Sequence, residues 1–251
     1  MAKIFLLFFS FLTLAANAQT AHDSLTIDSV YPPKEEYKFR YQQIIVPSSM
    51  LLIGYLGVKN GWLHQVNREV RSAFRHHWNT ESADNYLQYL PLVCDYGLSA
   101  IGVKAKHNYG DRTIALATSY LSLAIITNGL KFAVDAPRPS GSATNSFPSG
   151  HTATAFMGAE IIRQEYKDTS PLYGIAAYTF AVGIGYARIY NDRHWFTDVL
   201  AGAGTGIVSA RIGYWLLPYT RKIFKKRKST ALILPFYGNS QGGITCAMLL
   251  P

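Results

Sequence analysis

Three short polar clusters, set between apolar segments of helical length, constrain the fold of this chain more than any other feature. The clusters are KFAVDAPRP (131–139), SFPSGH (146–151) and ARIYNDRHWFTD (187–198). Each cluster contains residues that carry charge or transfer protons, whereas the flanking segments are mostly apolar. The pattern predicts a helical bundle whose polar residues lie at the helix ends.

The third cluster contains a histidine and a carboxylate at helical spacing. His194 and Asp198 are four positions apart, so on a helix they would share one face and the carboxylate would accept a proton from one imidazole nitrogen. The other nitrogen would then present its lone pair, as a nucleophile or general base does. Taken alone, the same spacing is also typical of a hydrogen-bonded pair on a helix surface.

The second cluster has the features of a helix start. Pro148 does not continue a preceding helix, Ser149 suits an N-cap, and Thr152–Ile162 is predicted to be helical. The backbone N–H groups of Ser149, Gly150 and His151 are expected to point at one spot. Such a helix start binds phosphate, although an ordinary cap with a solvated histidine would have the same sequence.

Three cationic side chains accompany the histidines. They are Lys131, Arg138 and Arg188, and Arg138 is held between Pro137 and Pro139 in a stiff, extended turn. Arginine suits bidentate recognition of phosphate. Each of these residues alone is equally typical of a solvated basic residue near a membrane surface.

Together the clusters contain what phosphoryl transfer requires. An oriented histidine, a second histidine that protonates a leaving oxygen, a helix start and three cations would stabilise charge on the equatorial phosphate oxygens. No acidic cluster suited to Mg²⁺ accompanies them, so a metal-independent site without a cofactor is expected. A zinc site built from His151, His194 and Asp198 is disfavoured because the neighbouring cations would repel the ion.

The three clusters resemble the signature of the type 2 phosphatidic acid phosphatase and vanadium haloperoxidase superfamily. That signature is written KxxxxxxRP, PSGH and SRxxxxxHxxxD, and the order and every spacing are kept here. One position departs from it, because Ala187 stands where the family usually has Ser and one hydroxyl donor is lost. The resemblance extends over about Arg112 to Pro218.

The resemblance implies a role for each site residue. His194 would attack phosphorus to give a phosphohistidine, Asp198 would hold its tautomer, and His151 would protonate the leaving alkoxide and later activate water. Five residues would bind the phosphate oxygens: Lys131, Arg138, Ser149, Gly150 and Arg188. Substrates within the resembling family include phosphatidic acid, phosphatidylglycerol phosphate, undecaprenyl pyrophosphate and lipid A phosphate.

Three other functions fit the same sequence. One is a soluble periplasmic acid phosphatase of the related non-specific class, because several apolar segments are short and interrupted. Another is a vanadium-dependent haloperoxidase, which shares the scaffold and the oxyanion pocket. The last is a membrane protein that binds phosphate headgroups without turnover.

The expected fold is an all-α, membrane-embedded bundle of five or six core helices with a short C-terminal hairpin. Ala231–Phe236 and Ile244–Leu250 are the predicted strands of that hairpin. The predicted organisation along the chain is a signal peptide, a loose N-terminal segment, a helical phosphatase domain, and a basic run with a tail: 1–18, 19–43, 44–220 and 221–251.

The N-terminus has the features of a secretory signal peptide. A lysine near the start precedes the apolar run Ile4–Ala15, and Ala16, Asn17 and Ala18 form a small-residue cleavage site before Gln19. An uncleaved membrane anchor is the alternative. The signal would direct the protein to the bacterial cell membrane with a periplasmic active site.

Several later segments are candidates for crossing a membrane. Thr113–Leu130 carries no charge and is the strongest candidate. Tyr86–Val103, Leu172–Ala187 and Val199–Leu217 are predicted to cross as well, whereas Ile44–Val58 contains Pro47 and is expected to enter only partly.

One topology accounts for both the basic residues and the site. If the mature N-terminus is periplasmic and 44–58 does not cross, the next five segments, which are those four and the predicted helix Thr152–Ile162, alternate across the membrane. Both histidines then face the periplasm, and the basic residues that face the cytoplasm satisfy the positive-inside rule. Those basic residues are Lys104, Lys106, Arg112, Arg163, Lys167 and the run RKIFKKRK at 221–228.

The charge of the chain indicates anionic partners. The formal net charge is +9, and aromatic residues make up 14% of the chain. This favours lipid surfaces and phosphate esters over nucleic acid, since no nucleic-acid motif is present. A basic amphipathic helix, lying against headgroups or on the surface of a soluble domain, is predicted from Trp62, Val66, Val70 and Phe74 with Arg68, Arg71, Arg75, His76 and His77.

Overall fold

The computed structural model describes residues 40–59, 61–74, 81–225, 231–238 and 241–248. Within these ranges the chain forms a helical bundle followed by a two-stranded hairpin, so the predicted all-α class and hairpin are confirmed. The helices are α1 (Gln42–Lys59), α2 (Gly61–Phe74), α3 (Glu81–Leu87), α4 (Leu90–Ala100), α5 (Tyr109–Ala133), α6 (Gly150–Tyr166), α7 (Pro171–Tyr190) and α8 (Phe196–Lys225). The strands are β1 (Ala231–Gly238) and β2 (Gln241–Met248).

The central helix of the bundle is α6. Nearly all of its side chains are buried, because α4, α5, α7 and α8 surround it. Its small residues let these neighbours approach, and Ala153, Ala155 and Ala159 are completely inaccessible to solvent. The main apolar cluster joins α6 to α4, α7 and α8. On the outside of this core, α1 lies along α8.

The direction of the helices gathers four helix ends at one end of the bundle. The C-terminal ends of α5 and α7 lie beside the N-terminal ends of α6 and α8, and each carries part of one polar cluster. Phe147, wholly buried after the turn 136–146, fixes the segment that joins α5 to α6. The fold therefore brings the three clusters to the same place.

A glycine allows α8 to pack closely against the start of α6. A Cβ atom added to Gly202 would lie 2.5 Å from the carbonyl oxygen of Ser149. Real Cβ atoms do not approach an oxygen so closely, so any larger residue would push the two helices apart.

One described helix, α5, has the length and apolar composition of a membrane span, with 25 residues. A second candidate arises if α1 and α2, bent by 95°, together form one span. The predicted segment Tyr86–Val103 is not one continuous helix, because the chain turns at 88–89 and α4 has only 11 residues. At about 16 Å, α4 is too short to cross a hydrocarbon core of about 30 Å alone.

The two strands pair antiparallel, with Gly238 opposite Gln241 at the turn and Ala231 opposite Met248 at the open end. Several sequence-based predictions fall outside the described residues. They are the signal peptide 1–18, the N-terminal segment up to 39, the basic residues Arg75, His76 and His77, and residues 226–228 of the basic run.

Candidate active site

The residues predicted from the three clusters converge at the end of the bundle where the four helix ends meet. Burial lowers the pKa of His151 to about 4, and four neighbours add to that shift through their charges: Arg188, His194, Arg138 and Lys131. Such interactions act at short range in a protein. The charges of His194 and of all three cations therefore act on His151, although 63 positions separate Lys131 from His194 along the chain.

His194 lies in the loop between α7 and α8 and is 3% exposed. Its Nδ1 is 2.8 Å from the carbonyl oxygen of Ser146, and a carbonyl oxygen can only accept a hydrogen bond. Nδ1 is therefore the protonated nitrogen, and Nε2 carries the lone pair. Burial lowers the pKa of His194 below its ordinary value, although the charge of Asp198 opposes this shift. The imidazole is thus favoured in its neutral form.

Asp198 holds this region together in a different way from that predicted. His194 precedes α8, which begins at Phe196, so the two residues do not share a helical face. The Asp198 carboxylate is 3.8 Å from His194 Nδ1, beyond hydrogen-bonding distance. Its Oδ2 accepts instead from the Ser146 hydroxyl at 2.5 Å and from the Trp195 N–H at 2.9 Å. Asp198 thus caps α8 and acts on the imidazole through its charge.

The predicted helix start is present at α6, with Ser149 as the N-cap. The Ser149 N–H is already used, because it donates to the carbonyl oxygen of Asp198 at 3.1 Å. The Ser149 hydroxyl is paired with the Thr152 hydroxyl at 2.9 Å. The first-turn N–H groups of Gly150 and His151 have no acceptor within the helix and are the ones suited to an anion.

Arg188, at the end of α7, is 6% exposed and faces a carboxylate that sequence reasoning missed. Its Nη1 lies 3.5 Å from Oδ2 of Asp84 on α3. Oδ2 of Asp84 also accepts from the side-chain amide of Asn191 at 2.6 Å. The buried Nε of Arg188 has no acceptor in the part of the chain that the structure describes. This N–H is therefore suited to a phosphate oxygen.

The two other cations share a partner. Lys131 Nζ donates to the carbonyl oxygen of Asn145 at 2.6 Å, and Arg138 Nε donates to the Asn145 side chain at 3.1 Å. Burial and the nearby Arg193 lower the pKa of Arg138. Asn145 thus positions two positive groups that would otherwise repel each other, and a bound anion would relieve that repulsion.

His151 follows the helix start and contacts α3. Its Nε2 lies 2.8 Å from Oδ1 of Asn85. No sequence pattern pointed to Asn85 or to Asp84, because α3 lies outside the three clusters and has only seven residues. Both residues are within the site only because α3 crosses the end of the bundle.

Helix α2 secures the loop that carries His194. Arg71 forms a bidentate ion pair with Asp192, at 2.6 and 2.7 Å. Asn67, buried on the same helix, donates to the Thr197 hydroxyl at 2.9 Å and accepts from the Thr197 N–H at 3.1 Å. The sequence identified Arg71 only as part of a basic amphipathic helix, so its contact with the loop was missed.

The assembled groups are suited to transfer of a phosphoryl group. A neutral imidazole presents a lone pair, a second imidazole lies close to it, and positive groups surround both. Within the described residues, no three His, Cys, Asp or Glu side chains are grouped as metal ligands. The residues fit a phosphate oxyanion held by protein cations.

Comparisons with known proteins identify relatives of part of this chain. Lipid A 1-phosphatase of Porphyromonas gingivalis is 37% identical over 156 residues, which is 59% of this chain and 35% of that protein. Bacitracin transport permease protein BcrC of Bacillus licheniformis is 42% identical over 74 residues, 30% of this chain and 34% of that protein. This chain therefore spans about a third of the length of each relative.

Two crystal structures are similar to parts of the chain. One is Aquifex aeolicus LpxE, with a TM-score of 0.45, 23% identity and coverage of 60% of this chain and 93% of that one. The other is a transmembrane PAP2 type phosphatidylglycerolphosphate phosphatase from Bacillus subtilis, with a TM-score of 0.37, 22% identity and coverage of 91% and 98%.

The family model that matches this chain covers α5 to α8 and includes all three clusters. It is that of the PAP2 superfamily, and the match extends over residues 112–222. The predicted resemblance is confirmed over almost the same range. Residues 112–222, somewhat less than half of the chain, are thus similar to the PAP2 superfamily.

Proposed function

We propose that this protein is a metal-independent phosphatase that removes a terminal phosphate from a lipid phosphate or pyrophosphate. The observation that carries the proposal is the orientation of His194, whose Nδ1 donates to the Ser146 carbonyl and whose Nε2 is left as a lone pair among cations. The relative named lipid A 1-phosphatase supports a lipid substrate. The positive groups would stabilise the transferring phosphoryl group without a bound metal.

The first step forms a phosphohistidine. The lone pair on Nε2 of His194 attacks phosphorus, and the bond from phosphorus to the ester oxygen breaks with its electron pair on that oxygen. His151 donates a proton to the departing oxygen, which leaves as the lipid alcohol from a lipid phosphate and as the lipid monophosphate from a pyrophosphate. The lowered pKa of His151 does not prevent this, because a bound phosphate dianion beside His151 would raise it.

The second step releases phosphate. Neutral His151 takes a proton from a water molecule whose oxygen attacks phosphorus. The bond from phosphorus to Nε2 breaks, and its electron pair returns to His194. Asp198 supports the first step, because its negative charge near His194 favours the positive imidazole of the phosphohistidine.

The other groups of the site would bind the oxygens of the phosphate. Arg188 and Arg138 would bind the equatorial oxygens through their N–H groups, and Lys131 would add a point charge. The N–H groups of Gly150 and His151 would bind a further oxygen at the positive end of α6. Ala187 has no side-chain hydroxyl to donate to the phosphate. The donors named above would therefore bind the phosphate without a hydroxyl from position 187.

The proposal places the protein in a bacterial membrane with this site facing the periplasm. The apolar length of α5 and exposed apolar side chains such as Leu121 and Ile125 on that helix support membrane embedding. The basic residues at the opposite end of the bundle support the orientation. A membrane-bound substrate would reach the site at the level of its headgroup.

His194→Ala tests the mechanism. Phosphate release by the detergent-solubilised protein would be measured with EDTA present against phosphatidic acid, phosphatidylglycerol phosphate, undecaprenyl pyrophosphate and lipid A. We expect the wild type to act on at least one lipid in preference to a water-soluble ester. The variant should lose activity by at least about 10³-fold, because the nucleophile is absent.

His64→Ala provides the control, since that histidine lies on α2 and its Nε2 is 3.1 Å from the Val58 carbonyl oxygen. It should retain wild-type turnover and membrane insertion. Unchanged turnover in His194→Ala would refute the phosphohistidine mechanism, and loss of activity in EDTA would refute metal independence.

A further inference from the structure

Helix α3 contributes two adjacent side chains to the site from outside the family segment 112–222. Asp84 is 2% exposed and lies 3.5 Å from the Arg188 guanidinium. Asn85 lies 2.8 Å from Nε2 of His151. The charged residue of this pair thus faces a permanent cation, and the uncharged one faces an imidazole that must change its protonation state.

We propose that Asn85 is a positioning residue for His151: its side-chain oxygen accepts the Nε2 proton and leaves Nδ1 to exchange protons with the substrate. This inference rests on the proposed function, because it assigns a role to the partner of the acid–base histidine. His194 is held in the same manner, since its Nδ1 donates to the uncharged Ser146 carbonyl at 2.8 Å. Both imidazoles are therefore oriented by neutral oxygens.

The charges around His151 explain why a neutral acceptor suits this position. The groups that act on it are Arg188 from α7, His194 from the following loop, and Arg138 and Lys131 from the α5 side, and each lowers its pKa. A carboxylate at position 85 would oppose all of them and keep the imidazole protonated. It would also compete with phosphate for the same cations. An amide orients the ring without either effect.

Two substitutions at position 85 separate orientation from charge. Asn85→Ala removes the acceptor, so we expect kcat to fall about tenfold with little change in KM. This loss is smaller than the one expected on removal of the general acid itself. Asn85→Asp keeps an acceptor and adds a negative charge. The pKa of His151 should then rise from about 4, and the pH profile of kcat should shift toward higher pH.

The pKa of His151 would be measured directly by NMR of the full-length protein labelled at histidine, in detergent. The resonance would be assigned by its loss in His151→Gln. The control is Tyr86→Ala, because Tyr86 is the next residue on α3 and is 78% exposed. It should leave both the His151 titration and turnover as in the wild type.

The proposal would be overturned if the pKa of His151 in Asn85→Asp were the same as in the wild type, or if Asn85→Ala kept the wild-type kcat. If Asn85→Ala does not fold, the titration of Asn85→Asp still decides. A wild-type protein that releases no phosphate would instead refute the proposed function. In that case a raised His151 pKa in Asn85→Asp would still support the contact.

Discussion

At the scale of single residues, the groups that orient the two histidines are uncharged, and the carboxylate near His194 lies farther away. The direct hydrogen-bond partners of the two histidines are the Ser146 carbonyl and the Asn85 amide, both neutral. The carboxylate near the proposed nucleophile, Asp198, lies 3.8 Å from His194 Nδ1 and does not accept from it directly. This arrangement favours the neutral form of each imidazole, because burial lowers both pKa values and, among the described residues, no carboxylate oxygen lies within hydrogen-bonding distance of either ring.

The pH dependence of activity follows from the burial of His194. The reactive form is neutral, and burial lowers the pKa of His194 while Asp198 partly restores it. The acid limb of kcat/KM should therefore lie below about pH 6.5, the ordinary histidine value. Asp198→Asn removes the charge that favours the protonated ring, so the acid limb should move to still lower pH. Its kcat should also fall by about tenfold or more, since the phosphohistidine loses a stabilising charge.

This prediction is checked by measuring kcat/KM between about pH 4 and about pH 8 for both proteins on one substrate. Titration of the substrate phosphate is then common to both profiles. Asp168→Asn is the control, because that carboxylate is exposed and, among the described residues, forms its ion pair with Lys106 at 3.6 Å. A limb that moves to higher pH in Asp198→Asn would contradict the assigned role of the charge.

Sequence spacing predicted which residues meet but not every bond among them. His194, His151 and the three cations converge as expected, because polar clusters at helix ends come together when the apolar helices pack. The spacing of His194 and Asp198 suggested a shared helical face, whereas α8 begins only after His194. Asn85 had no detectable signal, since a single contact across 66 positions leaves no periodic pattern.

At the scale of helices, the close packing of α8 against α6 sets the position of the phosphate-binding turn. Substituting Gly202→Ala would place a methyl group against the Ser149 carbonyl, 2.5 Å away, beside the N–H groups of Gly150 and His151. We expect a loss of about 1–3 kcal/mol in stability from overpacking, with a larger relative loss of activity than of fold. Thermal unfolding in detergent and phosphate release would measure the two effects.

Gly183→Ala is the matched control, because Gly183 is also inside a helix but an added Cβ would meet nothing within 4 Å. It should keep full activity and gain up to about 1 kcal/mol from helix propensity. Equal effects of the two substitutions would show that contact with the Ser149 turn does not matter. Both glycines lie inside apolar helices, and the identity of the neighbouring helix is needed to tell them apart.

At the scale of the whole molecule, the two ends of the bundle have different polar chemistry. The end opposite the candidate site contains a paired network: Glu165 accepts from the His107 N–H at 2.9 Å and the Tyr214 hydroxyl at 2.5 Å. Nearby, Arg112 forms an ion pair with Asp95 at 2.6 Å. These charges are paired within the protein, whereas Lys131, Arg138 and Arg188 converge at the site. The converging cations are therefore suited to bind an anion.

The proposed orientation in the membrane is tested by labelling each end of α6 from outside the cell. The two native cysteines are first removed by Cys94→Ser and Cys246→Ser. A single cysteine is then introduced by Ser140→Cys, in the exposed loop before α6, or by Lys167→Cys, in the exposed turn after it. The 17 residues of α6 span about 25 Å, close to the thickness of a hydrocarbon core. A membrane-impermeant maleimide, applied to cells with a permeable outer membrane, should label position 140 and not 167 until the inner membrane is broken. Labelling of position 167 alone would show that the orientation is the opposite of the one proposed. Equal labelling of both positions, in a protein that a carbonate wash releases from the membrane, would show that α6 does not cross a membrane.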